Sequence, residues 1–197
     1  MFWQDSATGI LAVNERVILQ NTDDTQVVLG TGSVLERYDY ITTVYGMKPD
    51  QLADTQSNDA LYWWDGYNKE ILQYQEKYAA TPLSTIKYIR NYLNSNGENA
   101  KPHLVYDNKN KEVICQCVNN ESVVYNEYVQ AFTSVYKFTP QHSLNINDVL
   151  YTAYGNKFYE QNKQSTEGEA KLFNDRIYPY ISYVVNKNNT IVKTFDI

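Results

Sequence analysis

Along most of the chain, apolar and polar positions alternate in short runs, and clusters of Asn, Asp, Gly and Lys separate one run from the next. Alternation over about four to eight residues predicts half-buried β-strands joined by tight turns. The turns resemble one another. Asp65-Gly66-Tyr67-Asn68-Lys69-Glu70-Ile71 is echoed by Asp107-Asn108-Lys109-Asn110-Lys111-Glu112-Val113, with weaker copies at Asn14-Glu15-Arg16-Val17-Ile18 and Gly155-Asn156-Lys157-Phe158-Tyr159. Asn, Asp and Gly tolerate the positive φ that tight hairpins need, so each copy is read as a turn between two strands.

Units centred near Asn14, Asn68, Asn110 and Asn156 recur at a spacing of about 40 to 50 residues, the spacing of propeller blades. The unit around Asn110 is the most complete, with strands expected at 104–106, 113–118, 122–126 and 131–138. The predicted fold is therefore mainly β: antiparallel, propeller-like, repeated β-hairpin blades with one short inserted helix. Residues 1–197 form one β-rich domain in this reading, either a small ring or part of a larger one.

The inserted helix is predicted at about residues 82–94. Thr81-Pro82 supplies a cap and a first-turn proline, Leu83, Ile86, Ile89 and Leu93 keep helical spacing, and Asn96-Gly97 supplies a stop. Its simplest role is to cover a sheet edge. Residues 162–174 read as a polar loop, followed by a last hairpin of strands 180–185 and 190–195 turning through 186–189.

Composition agrees with a β protein that has a substantial core. Charged residues are 20% against 43% hydrophobic, so a mean hydropathy of −0.56 reflects amides and tyrosine more than charge. Nineteen Tyr stand beside only 8 Gly and 5 Pro, which favours strands over irregular chain. A net charge of −6 argues against sequence-specific nucleic-acid binding, which needs clustered Lys and Arg. No apolar stretch is long enough for a membrane helix and the start lacks the pattern of a secretory signal, so no membrane insertion is expected. A soluble, cytoplasmically made chain, or a segment of a longer protein, is the expectation.

Candidate chemistry is sparse. No phosphate loop, dinucleotide fingerprint, metalloprotease motif or nucleophile elbow occurs, and Gly30-Thr31-Gly32 reads as a turn or bulge. Cys115 and Cys117 point to one face of a strand and are read as small hydrophobes, while His103 and His142 sit in turn contexts as surface residues. No metal, cofactor or catalytic residue is assigned. Asp23, Asp24, Asp59, Asp65 and Asp107 lie at turns or strand ends, where aspartates cap backbone amides. The conspicuous cluster is Leu61-Tyr62-Trp63-Trp64-Asp65. Neighbouring strand residues face opposite ways, so one indole enters the core while the other meets the next sheet, a partner or solvent. Core or inter-blade packing comes first among the readings, a protein interface next and glycan contact last, with Trp63, Trp64, Tyr62 and Tyr67 as the candidate residues.

In order, Gly30-Thr31-Gly32-Ser33-Val34-Leu35, Tyr38-Asp39-Tyr40-Ile41-Thr42-Thr43, Leu61-Tyr62-Trp63-Trp64-Asp65 with Asn68-Lys69-Glu70-Ile71, Tyr125-Asn126-Glu127, Ala131-Phe132-Thr133-Ser134-Val135-Tyr136 and Arg176-Ile177-Tyr178-Pro179-Tyr180-Ile181-Ser182-Tyr183-Val184-Val185-Asn186 form a recognisable series. The series resembles the C-terminal portion of tail muzzle or nozzle-type virion structural proteins of crAss-like bacteriophages. That resemblance implies a non-enzymatic part of the short-tail channel in the virion, a homo-oligomeric ring and other virion tail proteins as partners, with no catalytic residues. A glycan-binding β module recognising a bacterial surface polysaccharide is the alternative, and a propeller glycosidase the third class.

Overall fold

The structure, a computed structural model, describes residues 1–14, 17–20, 26–29, 34–49, 51, 53–76, 78–96, 102–118, 121–137, 140–161, 171–173, 175–176, 178 and 180. It divides into two compact units, Met1–Lys163 and Gln164–Ile197. In the second unit the described residues contain one small antiparallel pair, Lys171–Leu172 with Asp175–Arg176. The final hairpin predicted from sequence lies outside the described residues, as do Gly30-Thr31-Gly32, Asp23 and Asp24.

The first unit is a succession of antiparallel sheets. β1 (Phe2–Trp3) and β5 (Val34–Thr42) flank β2 (Thr8–Asn14), and between β2 and β5 the chain makes a hairpin of β3 (Val17–Gln20) and β4 (Gln26–Leu29). A four-stranded sheet follows, β6 (Asp54–Gln56), β7 (Leu61–Asp65), β8 (Glu70–Tyr74) and β9 (Thr81–Pro82), then two short helices, α1 (Leu83–Ile86) and α2 (Arg90–Asn96). A second four-stranded sheet contains β10 (His103–Asp107), β11 (Glu112–Val118), β12 (Glu121–Asn126) and β13 (Ala131–Tyr136). The last sheet of this unit has β14 (His142–Ile146), β15 (Val149–Tyr154) and β16 (Lys157–Glu160). The mainly β, antiparallel prediction stands, but no closed propeller is formed by the described residues.

Strand alternation fills the spaces between sheets. Tyr62, Trp64 and Ile71 of one sheet join Leu104, Tyr106, Val113, Cys115, Val123 and Tyr125 of the next in a shared core. The residues between them point the other way. Trp63 and Leu72 pack with Met47, Trp3 and Tyr45, while Val105, Ile114 and Val124 pack with Leu150 of β15.

The echoed segments at Asn68 and Asn110 are hairpin loops of similar construction. Residues 66–69, 108–111 and 127–130 are four-residue hairpin loops, each ending in a left-handed residue, Lys69, Lys111 or Gln130, at φ 52°, 57° and 54°. In the first two, the leading aspartate caps the loop. Asp65 accepts from the amides of Tyr67 at 2.8 Å and Asn68 at 2.9 Å, and Asp107 from that of Lys109 at 3.1 Å. The Asn68 and Asn110 side-chain amides close both loops, each at 2.8 Å from its aspartate. Yet the Asn68 loop joins the second and third strands of its sheet and the Asn110 loop the first and second of the next, so the echo marks hairpins and not equivalent blade positions. Asn14 ends β2 and pairs with Val34 of β5. At the fourth copy, Gly155 takes φ 59° at the first loop position, which a side chain would strain.

The predicted helix over 82–94 is broken in two. Lys87, Tyr88 and Ile89 form a Schellman stop: Ile89 N–H donates to the Ser84 carbonyl at 3.0 Å and Tyr88 N–H to that of Thr85 at 3.3 Å. Buried Glu70 fixes the first helix, accepting from Thr85 N–H at 2.7 Å and Thr85 Oγ1 at 2.9 Å, while Ser84 Oγ accepts from Ile71 N–H at 2.9 Å. Tyr88, 93% exposed, holds φ 64° without glycine's freedom. Tyr88→Gly is expected to raise stability by roughly 0.5–1 kcal/mol, seen as a higher urea midpoint with unchanged slope, and Tyr88→Val to lower it.

Candidate interaction surface

β7 carries the aromatic cluster singled out from sequence, and the structure sends its members to different places. Tyr62, Trp63 and Trp64 are fully buried, whereas Tyr67, in the loop after β7, is 54% exposed with Lys48 Nζ 4.9 Å above its ring. Of the destinations open to the second indole, the structure selects a neighbouring apolar cluster, that of Met47 and Leu72, so neither tryptophan offers a platform to solvent.

Tyr62 has a polar end that reaches beyond its own sheet. Its hydroxyl donates to Glu127 Oε1 at 2.6 Å, the Tyr106 hydroxyl donates to Glu127 Oε2 at 2.6 Å, and Gln73 Nε2 donates back to the Tyr62 oxygen at 2.8 Å. One carboxylate thus ties β7 and β10 to the loop before β13. Tyr62, Gln73, Tyr125, Glu127 and Asp59 share a cavity of about 350 Å³. Both Glu127 oxygens are occupied by tyrosine protons, so the arrangement is a tie rather than an acid and a base waiting for substrate. Burial, reinforced by Glu127, pushes the Tyr62 and Tyr106 hydroxyls well above the ordinary tyrosine value; burial and Glu112 do the same to Tyr136, which donates to Glu112 at 3.0 Å.

Asp65 and Asp107 are buried turn caps, and Asp65 also accepts from Gly46 N–H at 3.0 Å. His103 and His142 are not isolated loop residues as expected from their neighbours. They open β10 and β14, their rings meet edge-on with centroids 4.9 Å apart, and His103 Nε2 lies 2.8 Å from the Ser143 carbonyl oxygen. Cys115 is buried among apolar residues; the side chain of Cys117 lies outside those described. Among the described residues, no three His, Cys, Asp or Glu side chains converge as metal ligands would. No described helix is long and apolar enough to cross a membrane.

The exposed aromatic surface that sequence reasoning missed is at the N-terminal sheet. Tyr38 and Tyr40 of β5 are 58% and 46% exposed, two residues apart and so on one face, and their rings meet edge-on at 5.9 Å. Phe2 packs edge-on against both, at 6.4 and 5.7 Å, by lying across Gly9, where a Cβ would come within 2.4 Å of the ring. Exposed Leu11, opposite Tyr38, extends this face. The signal was Tyr-x-Tyr in a strand beside a glycine, but one strand does not reveal whether another sheet covers it.

A row of short antiparallel sheets with shared cores, two of them tied through the Glu127 carboxylate and one bearing an exposed aromatic face, defines a mainly β protein. Compared with protein families, residues 1–156 match the Crassvirus muzzle protein family, and the chain belongs to it, in agreement with the resemblance carried by its aromatic strand motifs. A comparison with curated proteins finds no match.

The tyrosine ties give a pH dependence of defined sign. The folded chain keeps the Tyr62, Tyr106 and Tyr136 protons above about pH 10, where the unfolded chain releases them, so stability is full below that pH and falls as pH rises. Denaturant midpoints are expected to decline from about pH 10 upward, and Tyr62→Phe combined with Tyr106→Phe to flatten the decline.

Proposed function

We propose that this chain is a non-enzymatic structural component of a phage virion, a muzzle protein that forms part of the wall of the short-tail channel. The observation that carries the reading is the match of residues 1–156 to the Crassvirus muzzle protein family. In this reading the sheets of the first unit form an arc of a propeller-like wall, and further copies of the chain complete a ring. Face-to-face cores between successive sheets support the arc, because each sheet buries both faces only when flanked on both sides. Other virion tail proteins are the partners. The exposed face of Leu11, Tyr38 and Tyr40, with half-buried Phe2 packed against the two tyrosines, supports such contacts, since aromatic residues are enriched where proteins meet.

The test is peptide mass spectrometry on purified particles of the source phage or its induced lysogen, with immunogold labelling to locate the protein. Peptides of this chain in stoichiometric amount, with label at the distal tail, are expected. Their absence from virions would refute the reading.

A further inference from the structure

Apolar clusters of described residues join the sheets of the first unit face to face. Trp3 of β1 packs with Trp63 and Leu72 on one side of the β6–β9 sheet, and Tyr62, Trp64 and Ile71 on its other side meet Leu104, Val113 and Val123. Val105, Ile114 and Val124, on the far side of the β10–β13 sheet, meet Leu150 of β15. Side chains alternate along a strand, so the face that each end sheet turns away from this row follows from the residues next to those contacts.

At the first end, Phe2 precedes Trp3 in β1 and lies on the opposite face, which it shares with Tyr38 and Tyr40. Leu11, beside Tyr38 in register, belongs to the same face. At the last end, Ser143 and Leu150 are buried on the inner face of the β14–β16 sheet. Leu144, Ile146 and Phe158 therefore occupy its outer face, where they are 40%, 52% and 77% exposed. Register sets half-buried Tyr151 beside Leu144 and half-buried Ala153 beside Phe158, while His142 and Glu160 supply a polar rim.

One copy thus ends in two exposed apolar faces, one on its first sheet and one on its last. Inside the unit, each such face is closed by the next sheet, and a second copy continues that series by setting its first sheet on the last sheet of its neighbour. Neither Leu144, Ile146 and Phe158 nor Leu11, Tyr38 and Tyr40 carry charge, so the two faces meet without burying an ion. Unlike faces in contact repeat head to tail until a ring closes, whereas like faces would stop at a dimer. We propose that the outer face of β14–β16 docks on the Phe2, Tyr38 and Tyr40 face of a second copy of this chain. The choice of a head-to-tail contact rests on the ring of the proposed function.

Size-exclusion chromatography with light scattering on the full chain, at concentrations up to about 100 µM, tests the docking. The wild-type chain is expected to associate as concentration rises. Phe158→Asp and Tyr38→Asp each place a carboxylate in one face and are expected to run as monomers, while Tyr128→Asp, at a 90% exposed position in the loop before β13 and on neither face, associates as the wild type does. Mixed in equal amounts, the two monomeric variants retain one intact face of each kind, so dimers and nothing larger are expected. Circular dichroism identifies a variant that fails to fold, and Ile146→Asp or Leu11→Asp then replaces it. A wild-type chain that stays monomeric, folded face variants that associate as the wild type does, or a mixture that stays monomeric would overturn the docking. These masses are read on pure protein, so they stand apart from the virion assay that tests the proposed function.

Discussion

The structure depends on β7 being buried on both faces. Trp63 and Trp64 are consecutive, so a pleated strand sends their indoles to opposite sides, and each side is closed by a different part of the chain. The Trp64 side holds the sheet of β10 to β13, and the Trp63 side holds Trp3, Tyr45 and Met47. These indoles are the largest fully buried side chains among the described residues, and each belongs to a different core. The carboxylates then fix what apolar packing leaves loose. Glu127 joins β7 to β10 through two tyrosines, and Glu70 joins β8 to the first helix through Ser84's neighbour Thr85.

Much of this was legible in the sequence, for physical reasons. Strand alternation predicted β10 to β13 close to their observed limits, because alternate residues of each strand meet different environments. The Asp-x-x-Asn loops were legible because their chemistry is local: the aspartate caps the loop it begins. Register was not, since one loop serves any hairpin in a sheet, and nothing local distinguishes a second strand from a first. The helix break at Tyr88 was hidden because the left-handed residue is a tyrosine rather than the glycine that normally signals such a stop.

The candidate site was less legible than the fold. Tyr62, Trp63, Trp64 and Tyr67 are adjacent in sequence but divided in space between two cores and a loop surface. The pairings that matter cross the chain: Tyr62 with Glu127, His103 with His142, Phe2 with Tyr40 over Gly9. Each was visible only as a single residue with an ordinary local explanation. The exposed aromatic face on β5 likewise emerges only from the arrangement of sheets.

A reconstruction of the tail of intact virions by electron cryomicroscopy tests the central claim most directly. The account predicts several copies of the first unit arranged about the tail axis at its distal end, with Tyr38 and Tyr40 covered by a neighbouring subunit. Density at the tail tip that cannot accommodate this succession of sheets would contradict it.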